Sequence, residues 1–582
     1  MPSHDTREAP CSQASDQDEP VRREALHRAA ALGTGADVAS PPAIPCQQVL
    51  AALPGEIYLI GCGQAAIDRE PSAQTMGFKA WNLLRMARIS LTVPPAFVIG
   101  TRYCADANAR AAAANSNLWQ PALLALERAT GLSFGSPRRP LLLSVRSGAP
   151  VSMPGMMETL LNIGLCDATL GGLLRQTGNP RLVWDAYRRL VATYAEVVAG
   201  LPAQLFDAAA ATLIGARDER DLDFAELRDL TRRFLALFAE HTGRPFPQEP
   251  AVQLAGAIQG VFASWNSPKA CDYRRQRGIP DSIGTAVTVQ RMVFGNAGGQ
   301  SGAGVGFTRD PTTGEPALWA DFLFNAQGED VVSGRRSAHG HDELATVLPS
   351  VWQELRDTAQ RLEHAFGDMQ DFEFTVQDGR LYMLQTRDGK RTPLAAARIA
   401  LDMVDEGLIN TDIARERTAG LDREALAVPR IVALHGAPLA RAITASSGVA
   451  IGEIALDKEQ AEARHVAGAP TVLVRRDAET SDMSALNWAA GLLTQRGART
   501  SHAAVVARQL GKVCLVGCAE LQIDEAARTI TIAGTTLREG ELLTLDGNEG
   551  TLYAGAAHTE IDYPAALLSR LESLRLPVAG NR

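Results

Sequence analysis

The stretch TQRGARTSHAAVVARQLG, residues 494–511, sets one histidine, His502, between a hydroxyl pair and a run of small and branched apolar residues. A helix beginning here takes Thr500 or Ser501 as its N-cap, runs through Ala503, Val505, Val506 and Leu510, and stops at Gly511. His502 then lies in the first turn, where unpaired N–H groups and the positive end of the helix dipole favour an anion and where a neutral imidazole is a nucleophile. A phosphoryl group on that ring would be held by the same donors, although an ordinary helix with a histidine in its first turn has the same appearance. In DFEFTV, strand alternation puts Asp371, Glu373 and Thr375 on one face and Phe372, Phe374 and Val376 on the other. Two carboxylates so spaced suit a magnesium ion that also touches nucleotide phosphates, and they equally suit a solvated strand face. Lys79, Arg146 and Arg387 offer positive charge to phosphates or to the surface. Gly295, Gly298, Gly299, Gly302, Gly304 and Gly306 suit a flexible flap whose N–H groups approach phosphate oxygens, or hairpins.

Elements must hold these groups in place. Short apolar strands from Ile57 to Ile99 flank the helix-period segment MGFKAWNLLRM, which bears Lys79, and a strand at 141–145 ends directly before Arg146 and a glycine-containing loop. Residues 180–270 carry apolar positions at spacings of three and four, the signature of amphipathic helices, and after Pro280 the pattern turns to strands. Residues 396–435 are charged and helical with few strong apolar faces, as a connector is; a compact α/β segment then runs from about Gly436 to Gly555.

Strand register decides which residues of RLYMLQTRD face the carboxylates across the hairpin. A two-residue turn at Asp378-Gly379 sends Gln385 and Arg387 to the phenylalanine face. A three-residue loop, 378–380, with a bulge instead pairs Glu373 with Gln385, Asp371 with Arg387, Phe374 with Leu384 and Val376 with Tyr382. The second arrangement is the one expected, because it places Leu384 opposite Phe374 and Tyr382 opposite Val376 on the apolar face.

The 582 residues predict several domains, and 46% hydrophobic with 21% charged residues describe an ordinary globular chain. A net charge of −9 gives no sign of a nucleic-acid or anionic-membrane partner. Eight cysteines are scattered without a disulfide framework, Cys514 and Cys518 are a thin basis for a metal site, and reduced core thiols are expected. No apolar run approaches a membrane span, and the acidic, Ala/Pro/Ser-rich residues 1–48 read as a disordered tail rather than a targeting peptide, so a cytoplasmic protein is expected.

Together, SVRSGAPVSMPGMMETLLNIGL, FTRDPTTGE, FNAQGEDVVSG, DMQDFEFTVQDGRLYMLQTRDGKRT and RGARTSHAAVVARQLGK resemble the pyruvate, phosphate dikinase family from about residue 55 to 556. The Ser-Ser-Ala loop of the related phosphoenolpyruvate synthases and rifampicin phosphotransferases is not what stands at Arg146-Ser147-Gly148. The resemblance implies an α/β and α+β multidomain fold: an ATP-grasp nucleotide domain over 49–395 with a helical insertion at about 165–275, a linker over 396–435 that serves as a hinge, a swivelling β/α phosphohistidine domain over 436–556 and a C-terminal tail over 557–582.

It further implies that Lys79, Arg146 and Arg387 bind ATP phosphates, that Asp371, Glu373 and Gln385 belong to the nucleotide and Mg2+ site, that His502 accepts the phosphoryl group, and that Thr500 matches a position open to regulatory phosphorylation. The implied partners are ATP, orthophosphate and a separate phosphoenolpyruvate/pyruvate-binding protein. The alternatives are transfer to another acceptor or to water, and a non-catalytic nucleotide sensor. The chain departs from the family's pattern at Phe78 and Ala80 beside the lysine and at Ala498 and Arg499 before the histidine. After Gly555 only 27 residues follow, too few for the family's acceptor barrel, a fold of about 250 residues.

Overall fold

In the first sheet nearly every strand residue is buried, because both of its faces are covered. β1 (Ile57–Ile60), β2 (Ala96–Ile99), β3 (Leu143–Gly148), β4 (Thr159–Ile163) and β5 (Ala286–Arg291) pair antiparallel in the order β1-β2-β5-β3-β4. The structure, a computed structural model, describes residues 53, 55–63, 70–151, 153, 156–215, 217, 219–332, 341–433, 436–477, 485–497, 499 and 501–575. The expected tail at 1–48 and Thr500 lie outside them. Strand β3 runs through Arg146 to Gly148, so Arg146 sits within the strand rather than in the loop after it.

One face of this sheet buries Phe97, Ile99, Leu143 and Val145 under the helices α2 (Pro180–Val197), α3 (Phe224–Thr242) and α4 (Pro250–Ser264), and the other buries Ile60, Ala96 and Val98 against α1 (Phe78–Arg88). Helix α2 shows the local cause. Asn179 caps it by accepting from the Leu182 N–H at 3.0 Å, Pro180 occupies the first turn, and Leu182, Val183, Ala186, Tyr187, Leu190, Val191 and Tyr194 are buried at helical spacing.

The second sheet, β6 (Gly302–Phe307), β7 (Trp319–Phe324), β8 (Gln370–Gln377) and β9 (Arg380–Asp388), is antiparallel in the order β9-β8-β6-β7. Helices α1 and α5 (Pro349–Phe366) cover its aromatic face. Gly302, Gly304 and Gly306, which in the sequence suit either a phosphate-approaching flap or a hairpin, lie in the central strand β6. A Cβ on them would strike the rings of Phe322, Phe374 and Phe372, so these glycines make room for aromatic packing.

The hairpin β8–β9 combines the two registers expected as alternatives. Asp378 and Gly379 take φ of 51° and 74°, a two-residue turn that pairs Gln377 with Arg380, Val376 with Leu381 and Phe374 with Met383. The three-residue loop, and with it the Phe374–Leu384 and Val376–Tyr382 pairs, is therefore absent. Leu384 is the extra residue of a bulge, and beyond it Glu373 pairs with Gln385 and Asp371 with Arg387. Without that bulge Met383 and Gln385 would share a face; with it Met383 joins the aromatic core and Gln385 turns to the carboxylates.

Residues 396–418 do not form a loose connector. Helix α6 (Pro393–Asp405) buries Ile399 and Met403, each worth about 1.5–3 kcal/mol, beside Phe307 and Met369, which sets it in the nucleotide half, while its Leu401 packs with Leu567 and Leu571. Arg309, 2% exposed, ties it there by bonding Glu363 of α5 and Glu406 at the end of α6, each at 3.0 Å. Beyond α7 (Thr411–Thr418), strand β10 (Val428–Ala433) leads into the second half.

That half is an eight-stranded sheet of β11 (Ala440–Arg441), β12 (Ile443–Ser446), β13 (Val449–Ala455), β14 (Thr471–Arg475), β15 (Gly491–Thr494), β16 (Val513–Val516), β17 (Leu542–Asp546) and β18 (Thr551–Ala554), in the order β11-β18-β17-β13-β14-β15-β16-β12. The run β13 to β16 is parallel. The expected tail over 557–582 is structured through Arg575. Strand β19 (His558–Asp562) pairs antiparallel with β10, and α9 (Ala565–Arg575) returns to α6 and α7, where Arg570 meets Asp402 at 2.9 Å and Arg415 bonds the Leu574 carbonyl at 2.8 Å. The described cysteines are free thiols, and no described helix is long and apolar enough to cross a membrane.

Candidate functional site

The face of the second sheet away from α1 and α5 carries polar groups in register. One row across the strands reads Gln385, Glu373, Val305, Asp321; the next reads Arg387, Asp371, Phe307, Trp319. The Arg387 Nε and Nη2 both donate to Asp371 Oδ2 at 2.8 Å. Asp371 is 6% exposed, and burial pushes its carboxyl above the usual carboxylate range against the pull of Arg387. Glu373 is freer: its closest cation is Arg146, 4.0 Å away on β3 of the other sheet. A cleft between the sheets therefore has Arg146 on one wall and Gln385, Glu373 and the Asp371–Arg387 pair on the other.

Lys79 enters from the first turn of α1. Gly77, at φ +76°, lets this helix start pressed against the end of β3, where a Cβ would collide with the Gly148 carbonyl, and the Phe78 N–H bonds Ala149 at 2.9 Å. Asn82, one turn on, donates to the Thr386 carbonyl of β9 at 2.9 Å, so α1 bridges both walls. The ammonium is surrounded by protein yet still reached by water. Its pKa falls to about 8 because of burial first and then Arg146, with Glu373 opposing and Arg387 adding to the fall.

In the second half, α8 (His502–Gln509) begins at His502 with Ser501 as its N-cap, the Ser501 side chain accepting from the Ala504 N–H at 3.4 Å. Ala503, Ala504 and Ala507 are buried against β14, β15 and β16, which explains the run of small residues around the histidine. Gly511 follows at φ +65°, as the sequence predicts. The helix is seated on the polar sheet face: the Arg508 guanidinium lies 5.4 Å from the centre of the Phe307 ring, and Phe307 is the cross-strand neighbour of Asp371.

Lys79, Arg146, Asp371, Glu373, Gln385 and Arg387 thus converge, and the helix of His502 lies against the same sheet. Asp321, 5% exposed on this face, was not singled out from the sequence. The available signal was alternation in WADFLF, which leaves one carboxylate inside an otherwise apolar strand. Burial raises its pKa to about 7. Among the described residues no cluster of three or more His, Cys, Asp or Glu side chains could cage a metal. Asp371 and Glu373 two residues apart do fit an ion that takes its remaining ligands from phosphate oxygens.

Two family models match this chain: the AMP/ATP-binding domain of pyruvate phosphate dikinase over residues 120–342 and 338–408, and the mobile domain of PEP-utilising enzymes over 467–550. The chain is similar to pyruvate, phosphate dikinase of Clostridium symbiosum, at 41% identity over 495 residues, 83% of this chain and 57% of that protein. It is similar to pyruvate, phosphate dikinase 2 of Zea mays, at 42% over 491 residues, 83% and 56%. It is likewise similar to the chloroplastic pyruvate, phosphate dikinase of Flaveria pringlei, at 40% over 526 residues, 89% and 54%. The chain spans little more than half the length of these curated relatives.

Proposed function

The chain belongs to the pyruvate, phosphate dikinase family, and from this we propose that it is an ATP-dependent phosphotransferase that phosphorylates its own His502. The observation that carries the reading is one cleft in which Lys79 and Arg146 face Glu373, Gln385 and the Asp371–Arg387 pair, with the His502 helix resting on the same sheet. Lys79, Arg146 and Arg387 oppose the charge of a triphosphate from three directions. Asp371 and Glu373 would hold a magnesium ion, which when bound adds neutralisation of the polyphosphate.

The imidazole of His502 attacks the β-phosphorus of ATP; the bond to the α-phosphate oxygen breaks and AMP leaves. Orthophosphate then attacks the terminal phosphorus, and pyrophosphate departs, leaving one phosphoryl group on His502. That group passes to pyruvate or another acceptor held by a separate phosphoenolpyruvate/pyruvate-binding domain or protein. The start of α8 supports the phosphorylated state, since the positive end of a helix favours an anion there. Thr500, beside the N-cap, is proposed as a site of regulatory phosphorylation.

The test is to incubate the protein with magnesium, orthophosphate and ATP labelled at the β-phosphate. Acid-labile label on the chain, with AMP and pyrophosphate released, is expected. His502→Asn should abolish the label while ATP still binds, because the nucleotide groups lie in the other half; equal labelling of both proteins would sink the assignment.

A further inference from the structure

Two arginines, neither of them among the nucleotide groups, join the halves at the sheet face. Arg499 lies three residues before His502, and its guanidinium stands 5.0 Å from the centre of the Trp319 ring on β7. Beside Trp319 in the same strand, Asp321 is buried, and Arg499 opposes the upward shift of its carboxyl. Arg508, 2% exposed, lies over Phe307, and Phe307 and Trp319 are cross-strand neighbours with ring centres 5.6 Å apart. The two cations thus sit on adjacent rings of one aromatic platform.

They also form one unit. Arg508 Nε and Nη2 donate to the Ala445 carbonyl at 3.0 and 2.7 Å, and Nη2 donates to the Arg499 carbonyl at 3.1 Å. The long side chain from the end of α8 therefore fixes the loop that leads into its start. Movement of Arg499 on Trp319 is movement of the backbone that carries His502.

We propose that Arg499 and Arg508 are positioning residues that seat the His502 helix on the Trp319–Phe307 platform, so that their hold on the two rings sets how fast the histidine reacts with bound ATP. This rests on the phosphotransfer reading above. It also gives Arg499, a departure from the family pattern, a physical role. The seat lies beside the nucleotide groups rather than among them, so loosening it changes how often the imidazole is in place and leaves ATP affinity unchanged.

The test compares the whole chain with Arg499→Ala, Arg499→Lys, Trp319→Leu and the Arg499→Ala/Trp319→Leu double variant. At saturating ATP, the labelling rate is expected to fall about tenfold in Arg499→Ala and in Trp319→Leu, and no further in the double variant. Arg499→Lys should recover part of the rate, since an ammonium also binds an indole face. ATP affinity by calorimetry and the thermal midpoint of Arg499→Ala should match the parent.

Parental labelling in Arg499→Ala, or single effects that multiply in the double variant, would overturn the proposal. Hydrogen exchange of residues 319–324 reads the seat without any chemistry, and it should quicken in Arg499→Ala. If no protein labels but exchange quickens, the seat stands and the phosphotransfer reading falls. If exchange is unchanged, the seat falls whatever the labelling.

Discussion

At the scale of single residues, Lys79 makes the sharpest statement. Its pKa of about 8 lies below the ordinary lysine value of about 10.4, so without ATP the side chain is largely neutral near pH 9 and charged near pH 6.5. A triphosphate placed against it favours the ammonium, and binding near pH 9 is then expected to draw in a proton. Titration calorimetry in two buffers of different ionisation enthalpy should show that uptake near pH 9, none near pH 6.5, and none at either pH for Lys79→Arg. Uptake that persists in the arginine variant would mean another group takes the proton. Not all residues of the site were equally legible in the sequence. His502 was marked by its flanks, because a helix start with hydroxyls before it and alanines after it needs both a cap and a tight packing face. Arg508 and Asp321 left weaker signals: their importance comes from strands and loops distant in sequence, Ala445 and Phe307 for the one and Arg499 for the other.

At the scale of elements, the bulge at Leu384 decides which side chains meet. The two-residue turn at Asp378-Gly379 is written plainly in the sequence, and so is the alternation of DFEFTV. The bulge is not, because its cause is tertiary: the Met383 N–H leaves the ladder to bond the Thr92 carbonyl at 2.8 Å, while the aromatic core claims Met383 and the cleft claims Gln385. This leads to an unusual expectation. Deleting Leu384 removes the extra residue and lets an unbroken ladder keep Glu373 opposite Gln385 and Asp371 opposite Arg387, so ATP affinity should stay within about threefold of the parent. Inserting one alanine after Leu384 should instead drive Gln385 and Arg387 out of register and abolish binding. Calorimetry on the two variants checks both, and equal loss in each would mean that the pairing does not govern the site. The glycines of β6 are ambiguous in the sequence for a related reason: a glycine run looks the same in a flap and in a strand, and only the three phenylalanine rings stacked on it distinguish them.

At the scale of the whole molecule, the question is how one imidazole could serve ATP and a remote acceptor. Helix α6 is anchored in the nucleotide half, so any pivot would belong to the two-stranded crossing of β10 and β19 rather than to residues 396–435 as a whole. A cavity of about 710 Å³ between the halves, lined by Thr312 and Glu315 on one side and Asn548 and Glu549 on the other, offers a place to lock them together. A cross-link there is expected to leave labelling by ATP intact and to block transfer to pyruvate when the acceptor domain of a full-length relative is added; undiminished transfer would rule out a swing. The ribbon of β10 and β19 also constrains any such swing. A domain hung from one strand can spin as well as bend, and it searches a volume. Two strands hydrogen-bonded side by side resist spinning, because twisting them shears the ladder, and bend readily only out of their own plane. The histidine is then confined to something close to an arc, and a one-dimensional search returns a tethered group to its target far more often than a three-dimensional one.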